Sequence, residues 1–114
     1  MTYAEMVQND FLLRDDLQYV TITNPNTNPH TDIENIRACT GPLNFQQLAF
    51  GAALGVEPTD CSWVISAVDL VGAIPEQGWI IKDSLNVEYV IISAKHESFG
   101  GSYVLHQCIG RVSR

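Results

Sequence analysis

Hydrophobic and polar residues form three β-type runs in the last part of the chain, over residues 78–112. The runs are rich in β-branched and aromatic residues, and turn residues separate them at positions 84–86 and 98–101. Asp, Ser, Asn and Gly provide the backbone freedom that a chain reversal needs. The pattern predicts a three-stranded antiparallel meander. For the whole chain it predicts a mainly β fold with two short helices (α+β), built as a small antiparallel β-barrel.

The middle strand of this meander is apolar on both faces. Simple alternation assigns three apolar residues to each face: Val87, Tyr89 and Ile91 to one, and Val90, Ile92 and Ala94 to the other. An antiparallel strand with one face in water would instead alternate apolar and polar residues. We therefore expect this strand to be covered on both sides, by a helix or by another subunit.

Shorter strands are predicted upstream of the meander. Residues 19–23 alternate in a way that predicts a strand with Val20 and Ile22 facing inward. Residues 35–39 are predicted to return along it, and residues 61–65 form a further short strand. Together these elements predict a single domain over residues 1–114, with the barrel spanning residues 19–112.

A polar stretch with two prolines separates the first two predicted strands. It contains no large apolar side chain and consists of Asn24, Pro25, Asn26, Thr27, Asn28, Pro29, His30, Thr31 and Asp32. Each proline moves the preceding residue out of helical space. The stretch predicts a long exposed loop over residues 24–34, longer than a minimal hairpin needs. Long loops on small domains are often functional, and a solvated connection without a role is the alternative.

An N-terminal helical arm is predicted over residues 1–16. Thr2 and Glu5 have the spacing of a capping box. Four apolar residues then recur at helical spacing: Tyr3, Met6, Val7 and Phe11. The helix is expected to end near Leu12 or Leu13, and a helix of about three turns is marginal alone. Its apolar stripe must therefore dock on its own barrel or on a neighbouring subunit.

A second helix is predicted over residues 44–54, inserted into the barrel. Asn44 and Gln47 suit its first turn. Gly55 fits the left-handed position that ends many helices, and Pro58 prevents the helix from resuming.

The composition describes an ordinary globular chain. It has 114 residues, of which 46% are hydrophobic and 17% charged, so it can bury a core as one domain. No apolar run approaches the roughly 20 residues of a membrane helix. The N-terminus has no signal-peptide pattern, so we expect synthesis in the cytoplasm and no membrane partner.

Negative charge is concentrated in the first part of the chain. The formal net charge is −7; residues 1–69 carry nine acids and two bases, whereas residues 70–114 carry four of each. The chain has no basic stripe, which argues against a protein that grips phosphates. An acidic surface serves solubility, or it forms a wall past which DNA slides because like charges repel. The candidate acidic face consists of Asp10, Asp15 and Asp16.

The residues that carry chemistry are dispersed along the sequence. Three cysteines, an odd number without close spacing, argue against a disulfide framework or a zinc motif and are expected as small buried hydrophobes: Cys39, Cys61 and Cys108. His106 and Cys108 share a strand face, which alone does not make a metal site. The sequence has neither a GxSxG nucleophile motif nor a glycine-rich phosphate loop. We therefore predict no catalytic, cofactor or metal site and no enzyme activity.

A string of short motifs runs through the predicted strands. In order, the segments are residues 19–25, Trp63-Val64-Ile65 with Leu70, Ile74, Pro75 and Gly78, then Gly78-x2-Ile81-x-Asp83 with Asn86-x2-Tyr89-x-Ile91, and finally residues 103–111. The order of these segments resembles the head-closure proteins of tailed bacteriophages, also called stopper, head-completion or head–tail joining proteins. Trp79 stands where that pattern usually has Asp, and Asn86 stands where it usually has Gly.

The resemblance implies a structural protein of the virion, at the head–tail interface. Several copies, typically six, would form a ring below the portal and its adaptor, retain packaged DNA and present a platform for the tail. The loop at residues 24–32 would reach into the channel or contact the next ring. DNA would pass the acidic face without sequence-specific binding. Subunit contacts would use apolar side chains: Tyr3, Met6, Val7, Phe11 and Trp79.

Two other interpretations stay open. One is another neck or tail subunit, such as a tail terminator or a tail-tube protein, although residues 97–102 are short for the hairpin arm of a tube subunit. The other is a non-viral protein, either a small ligand-binding β-barrel or an accessory subunit of an enzyme. A ligand-binding barrel should be a monomer with a pocket.

Overall fold

The computed structural model describes residues 3–27, 31–43, 55–99 and 101–113. Within them the elements are α1 (Tyr3–Leu12), β1 (Gln18–Asn24), β2 (Thr31–Pro42), β3 (Cys61–Ser66), a 3-10 turn (Val68–Leu70), β4 (Ile80–Lys82), β5 (Glu88–Phe99) and β6 (Ser102–Val112). The predicted helix at residues 44–54 lies outside the described residues. The predicted fold class, mainly β with a small antiparallel barrel, is confirmed.

The six described strands close into a barrel. Their order is β1-β2-β3-β6-β5-β4, and β4 pairs back with β1. Every neighbouring pair is antiparallel. The predicted meander is therefore confirmed as β4-β5-β6. The connection after β3 crosses one end of the barrel, because β6 and not β4 pairs with β3.

Apolar side chains from every strand fill the barrel interior. Val20 and Ile22 face inward as predicted, and they pack with inward residues of the other strands: Ile36, Ala38, Trp63, Ile65, Ile81, Ile91 and Cys108. Eight-stranded barrels have interiors just wide enough for side chains to fill. A six-stranded barrel is narrower, so its interior is a packed core.

A β-bulge at Ile92 changes which residues of β5 face the core. The register shifts between Ile91 and Ser93, so that β5 carries one more residue than β6 at this point. An extra residue reverses the face of everything that follows it. Ala94 consequently packs against the same core as Ile91. The prediction that these two residues lie on opposite faces was wrong.

A second bulge lies in β2, opposite β1. Val20 pairs with Ile36 but Ile22 pairs with Ile33, so β2 contains one extra residue there. Asn35 has a φ of 60°, in the left-handed region that Asn tolerates better than most residues. The bulge lets both Ile33 and Ile36 contact the core.

The polar connection between β1 and β2 is shorter than the sequence predicts. β2 begins at Thr31, and Asn24 pairs with Thr31 as Thr23 pairs with Asp32. The hydroxyl of Thr23 also donates a hydrogen bond to Asp32 Oδ1 over 2.7 Å. Cross-strand bonds of this kind stabilise the first residues of β2, which alternation of apolar and polar residues does not predict to be a strand. β1 therefore extends to Asn24 and β2 begins at Thr31, so the predicted loop at 24–34 was too long.

The N-terminal helix docks on its own barrel. α1 lies against β6, with further contacts to β3 and β5. Phe11, only 6% exposed, is its buried anchor. None of the described helices is long and apolar enough to cross a membrane.

Candidate functional site

The described part of the predicted channel loop is a hydrogen-bonded turn, here called the hairpin tip (residues 24–27 and Thr31). Asn24 Oδ1 accepts a hydrogen bond from the backbone N–H of Asn26 over 3.0 Å, and its carbonyl accepts one from the Thr27 hydroxyl over 3.2 Å. The hydroxyls of Thr27 and Thr31 lie 2.9 Å apart. The tip therefore presents neutral polar groups in a defined geometry. Asn28, Pro29 and His30 lie outside the described residues.

The predicted subunit-contact residues occupy different environments. Met6 is 51% exposed and Val7 is half-buried, so both can meet a neighbour. Phe11 and Trp79 are buried within the chain, at 6% and 8% exposed, so the described chain offers little of either side chain to another subunit. The side chain of Tyr3 lies outside what the structure describes.

Backbone pairing explains why Trp79 faces the core. The N–H of Gly78 donates to the carbonyl of Ile91, and the N–H of Ile91 donates to the carbonyl of Trp79, both over 2.8 Å. These bonds continue the pairing of β4 with β5 beyond Ile80. Trp79 therefore keeps the alternation of β4, in which Ile81 also faces inward.

The candidate acidic face surrounds the end of α1. Asp10, Asp15 and Asp16 are all exposed. Arg14 donates to both carboxylate oxygens of Asp16, with Nε and Nη2 at 2.9 and 2.8 Å. This hydrogen bonding lowers the pKa of Asp16. Among the described residues no ion pair reaches Asp10 or Asp15, so those two carry the negative charge of this face.

A histidine cluster, which we define as His96, Tyr103 and His106, lies across the β5–β6 hairpin. His96 and His106 are directly opposed, and their Nδ1 atoms are 2.7 Å apart, so one ring donates to the other. The Tyr103 ring lies 5.8 Å from His96 and 5.5 Å from His106. Burial, then the facing His96, lowers the pKa of His106 to about 4. The His106 imidazole is therefore neutral near pH 7.

A register shift brings the two histidines of this cluster together. Next to the turn, Ser98 pairs with Tyr103, a register that would place His96 opposite Leu105. β6 carries one extra residue just before Leu105, so His96 lies opposite His106 instead. Ligand spacing along one strand does not detect a pair formed in this way. Two imidazoles alone do not make a metal centre, and no group of three or more His, Cys, Asp or Glu that could hold a metal occurs among the described residues.

Two partly buried ion pairs link residues outside the strands to residues of the barrel strands. Arg37 donates through Nε and Nη2 to Asp69, both over 2.8 Å, and this bonding lowers the pKa of Asp69. Arg111 pairs with Asp60 at 2.9 Å. Burial acts to raise the pKa of Asp60, but the bonds from Arg111 and from the N–H of Glu57 outweigh it, so that pKa is lowered. Both arginines are occupied by structural partners.

No protein-family model, curated protein or solved structure matches this chain.

Proposed function

We propose that this chain is a ring-forming structural subunit of a tailed-bacteriophage neck, a head-closure protein that joins the portal–adaptor complex to the tail and retains packaged DNA. One observation carries the proposal. The motifs of the resemblance fall on five of the six described strands of one closed, filled barrel, and the described part of the β1–β2 connection is a hydrogen-bonded polar tip at one of its ends.

The filled interior favours a structural role over a ligand-binding one. A small-molecule site is a largely pre-formed concave pocket. Here fully buried side chains occupy the space that a ligand would take, with Trp63 the largest of them. A rigid packed barrel suits a subunit that carries load between neighbours.

The polar, uncharged surface of the hairpin tip suits a contact with a DNA channel or with a neighbouring ring. Residues 24–34 contain no Lys or Arg, so the tip has no cationic group to hold DNA phosphates. Its hydroxyls and amides are already arranged by mutual hydrogen bonds. A pre-ordered tip loses little entropy when it meets a partner.

Contacts between subunits would use the exposed apolar residues of the arm. Met6 remains available, and Leu13 and Tyr19 are further exposed apolar side chains nearby in the sequence. Single exposed apolar residues are common on any protein, so these positions are candidates to be tested by substitution.

The test is complementation of particles from the phage that encodes the chain, with its gene disabled. DNA-filled, tailless particles that carry portal and adaptor are mixed with purified protein and then with tails. We expect the added protein to protect the packaged DNA from nuclease and to allow tail joining. Equal DNA retention and tail joining without the protein would refute the proposal. Binding to free tails but not to heads would instead assign a tail-terminator role.

A matched pair of variants tests the hairpin tip in the same assay. Thr27→Arg changes the tip, whereas Leu85→Arg adds the same charge to the exposed turn after β4. That turn lies at the opposite end of β1, because Ser84 bonds to Gln18. We expect a loss of DNA retention or tail joining with Thr27→Arg only. Equal activity of the two variants would remove the tip from the functional surface.

A further inference from the structure

The closed barrel leaves one strand edge open. β4 has three residues and β5 has twelve. β4 pairs with residues 88–90 of β5, and Gly78 and Trp79 extend this pairing to Ile91. Among the described residues, positions 93–99 of β5 pair with β6 only. This segment, here called the β5 edge, has an unpaired side.

An unpaired edge presents backbone N–H and C=O groups at every second residue, ready to pair with another strand. A cleft of about 350 Å³ lies between the β5 edge and the turn at Glu76 and Gln77. A paired strand lies only about 4.8 Å from its neighbour, so this cleft gives an incoming backbone room.

Charges on the β5 edge are complementary to those of the same segment in a second copy. Lys95 and Glu97 are two residues apart, so both lie on the same face. If two β5 edges pair antiparallel about His96, Lys95 of each copy faces Glu97 of the other. Gln107 donates to Glu97 Oε1 over 2.7 Å, which holds the carboxylate on that face. Opposite charges directly across a strand pair are stabilising.

We propose that two copies of this chain associate through the β5 edge, antiparallel about His96, so that one sheet runs through both barrels. The contact is isologous, since the same surface serves on each copy. It concerns the free protein and goes beyond the proposed role in a ring.

The contact is small, so the dimer should be weak. Pairing of one short strand buries less than the area of a stable dimer, which gives affinities in the micromolar range or weaker. Sedimentation equilibrium from about 10 µM to about 1 mM should therefore show a monomer–dimer transition. A monomer throughout that range would overturn the proposal.

Charge reversal identifies the surface. Lys95→Glu makes the edge all acidic, and Glu97→Lys makes it all basic. Each reversal places two like-charged pairs across the contact and should weaken the dimer by about tenfold or more. An equimolar mixture of the two variants should associate, because their edges are again complementary. The double variant, with both reversals, should self-associate.

Matched controls carry the same net charge change elsewhere. Lys82→Glu and Glu34→Lys alter exposed residues on β4 and β2, and both should dimerise like the unmodified chain. This contact is refuted if charge reversal at the β5 edge leaves the dimer affinity unchanged, or if the control substitutions weaken the dimer equally.

Hydrogen exchange provides a second readout that does not depend on any variant. The alternate amides at positions 93–98 that point away from β6 should exchange more slowly at dimer-forming concentration, while those of β1 should not change. Protection confined to another element would overturn the proposal. Because these measurements use free protein only, their failure would leave the particle experiment unaffected, and the reverse is also true.

Discussion

At the scale of single residues, His106 shows what the barrel does to a titratable group. The residue is 1% exposed and its ring hydrogen-bonds to the imidazole of His96, so the folded protein opposes its protonation. The pKa in the fold is about 4, against an ordinary value of 6.5. In the unfolded chain the same residue accepts a proton more readily, and this difference links stability to pH.

The first prediction is a loss of stability as the pH falls from about 6.5 to about 4. Over that window the unfolded state binds a proton that the folded state excludes, which lowers the free energy of unfolding by roughly 3 kcal/mol. Below it the contribution of His106 no longer changes. Urea unfolding at pH 7 and at about pH 4.5 should show this slope, and His106→Gln should reduce it. An unchanged slope in the variant would contradict the account.

Gly110 illustrates a packing constraint at one atom. A Cβ at this position would lie 3.2 Å from Trp63 Cδ1 and from Tyr89 Cβ. Trp63 is fully buried and rests edge-on against Tyr89, at 5.2 Å between ring centroids. Neither neighbour can withdraw without disturbing the core.

The second prediction is that Gly110→Ala lowers the free energy of unfolding by about 1–3 kcal/mol, as overpacking usually does. Gly41→Ala is the control, because a Cβ there meets nothing within 4 Å. It should be neutral or slightly stabilising. Denaturant unfolding of both variants measures the difference. Equal stabilities would show that the core accommodates the added methyl group without cost.

At the scale of elements, the turn after β3 holds a strained residue. Val71 has φ 51° and ψ 47°, left-handed values that are unfavourable for a β-branched side chain, and it is 89% exposed. Two neighbours impose this conformation: Leu70 is buried in the core, and Asp69 is bonded to Arg37. The side chain of Val71 therefore costs strain without gaining burial.

The third prediction is that Val71→Gly stabilises the protein by about 0.5–1 kcal/mol. Relief of strain should exceed the entropy that Gly adds to the unfolded chain. Val68→Gly changes the same residue type in ordinary backbone of the same turn and should destabilise by about 1 kcal/mol. Thermal and urea unfolding of the pair give the sign directly. Destabilisation by both substitutions would mean that Val71 makes a favourable contact.

The sequence predicted elements better than their registers. Alternation predicts that Val20 and Ile22 face inward, and turn residues predict the meander. Both predictions succeed because both signals are local. The bulges at Asn35 and Ile92 depend on how two strands align, which no single segment encodes. Ala94 was assigned to the wrong face for that reason.

Side-chain environments depended on tertiary contacts in the same way. Trp79 faces the core because its backbone pairs with Ile91, a tertiary contact that the sequence around it does not encode. The sequence is compatible with α1 packing on its own barrel or on a neighbouring subunit. The burial of Phe11 shows that α1 packs on its own barrel. His96 lies opposite His106 because the register shifts between Glu97 and Ser98, and spacing along one strand does not encode that shift.

At the scale of the whole molecule, uneven charge is the property that bears most on the proposed role. The net charge of −7 arises in residues 1–69, where acids outnumber bases by nine to two. Because Arg14 is paired with Asp16, Asp10 and Asp15 are the exposed acids to alter first.

The fourth prediction concerns DNA ejection from assembled particles. Asp10→Lys with Asp15→Lys should slow ejection severalfold, since cations on a channel wall bind phosphates, while assembly persists. Glu76→Lys with Glu88→Lys gives the same change in net charge at other exposed positions. Ejection rates from particles with either pair measure the effect. Similar rates for the two pairs would remove these acids from the DNA path.

The most direct measurement of the central claim is image reconstruction of tailless particles, carrying portal and adaptor, after addition of the purified chain. The account predicts a closed ring of identical copies beneath the adaptor, six by the family resemblance, with the barrel fitting each copy. A vertex that stays bare at saturating protein would contradict the head-closure role.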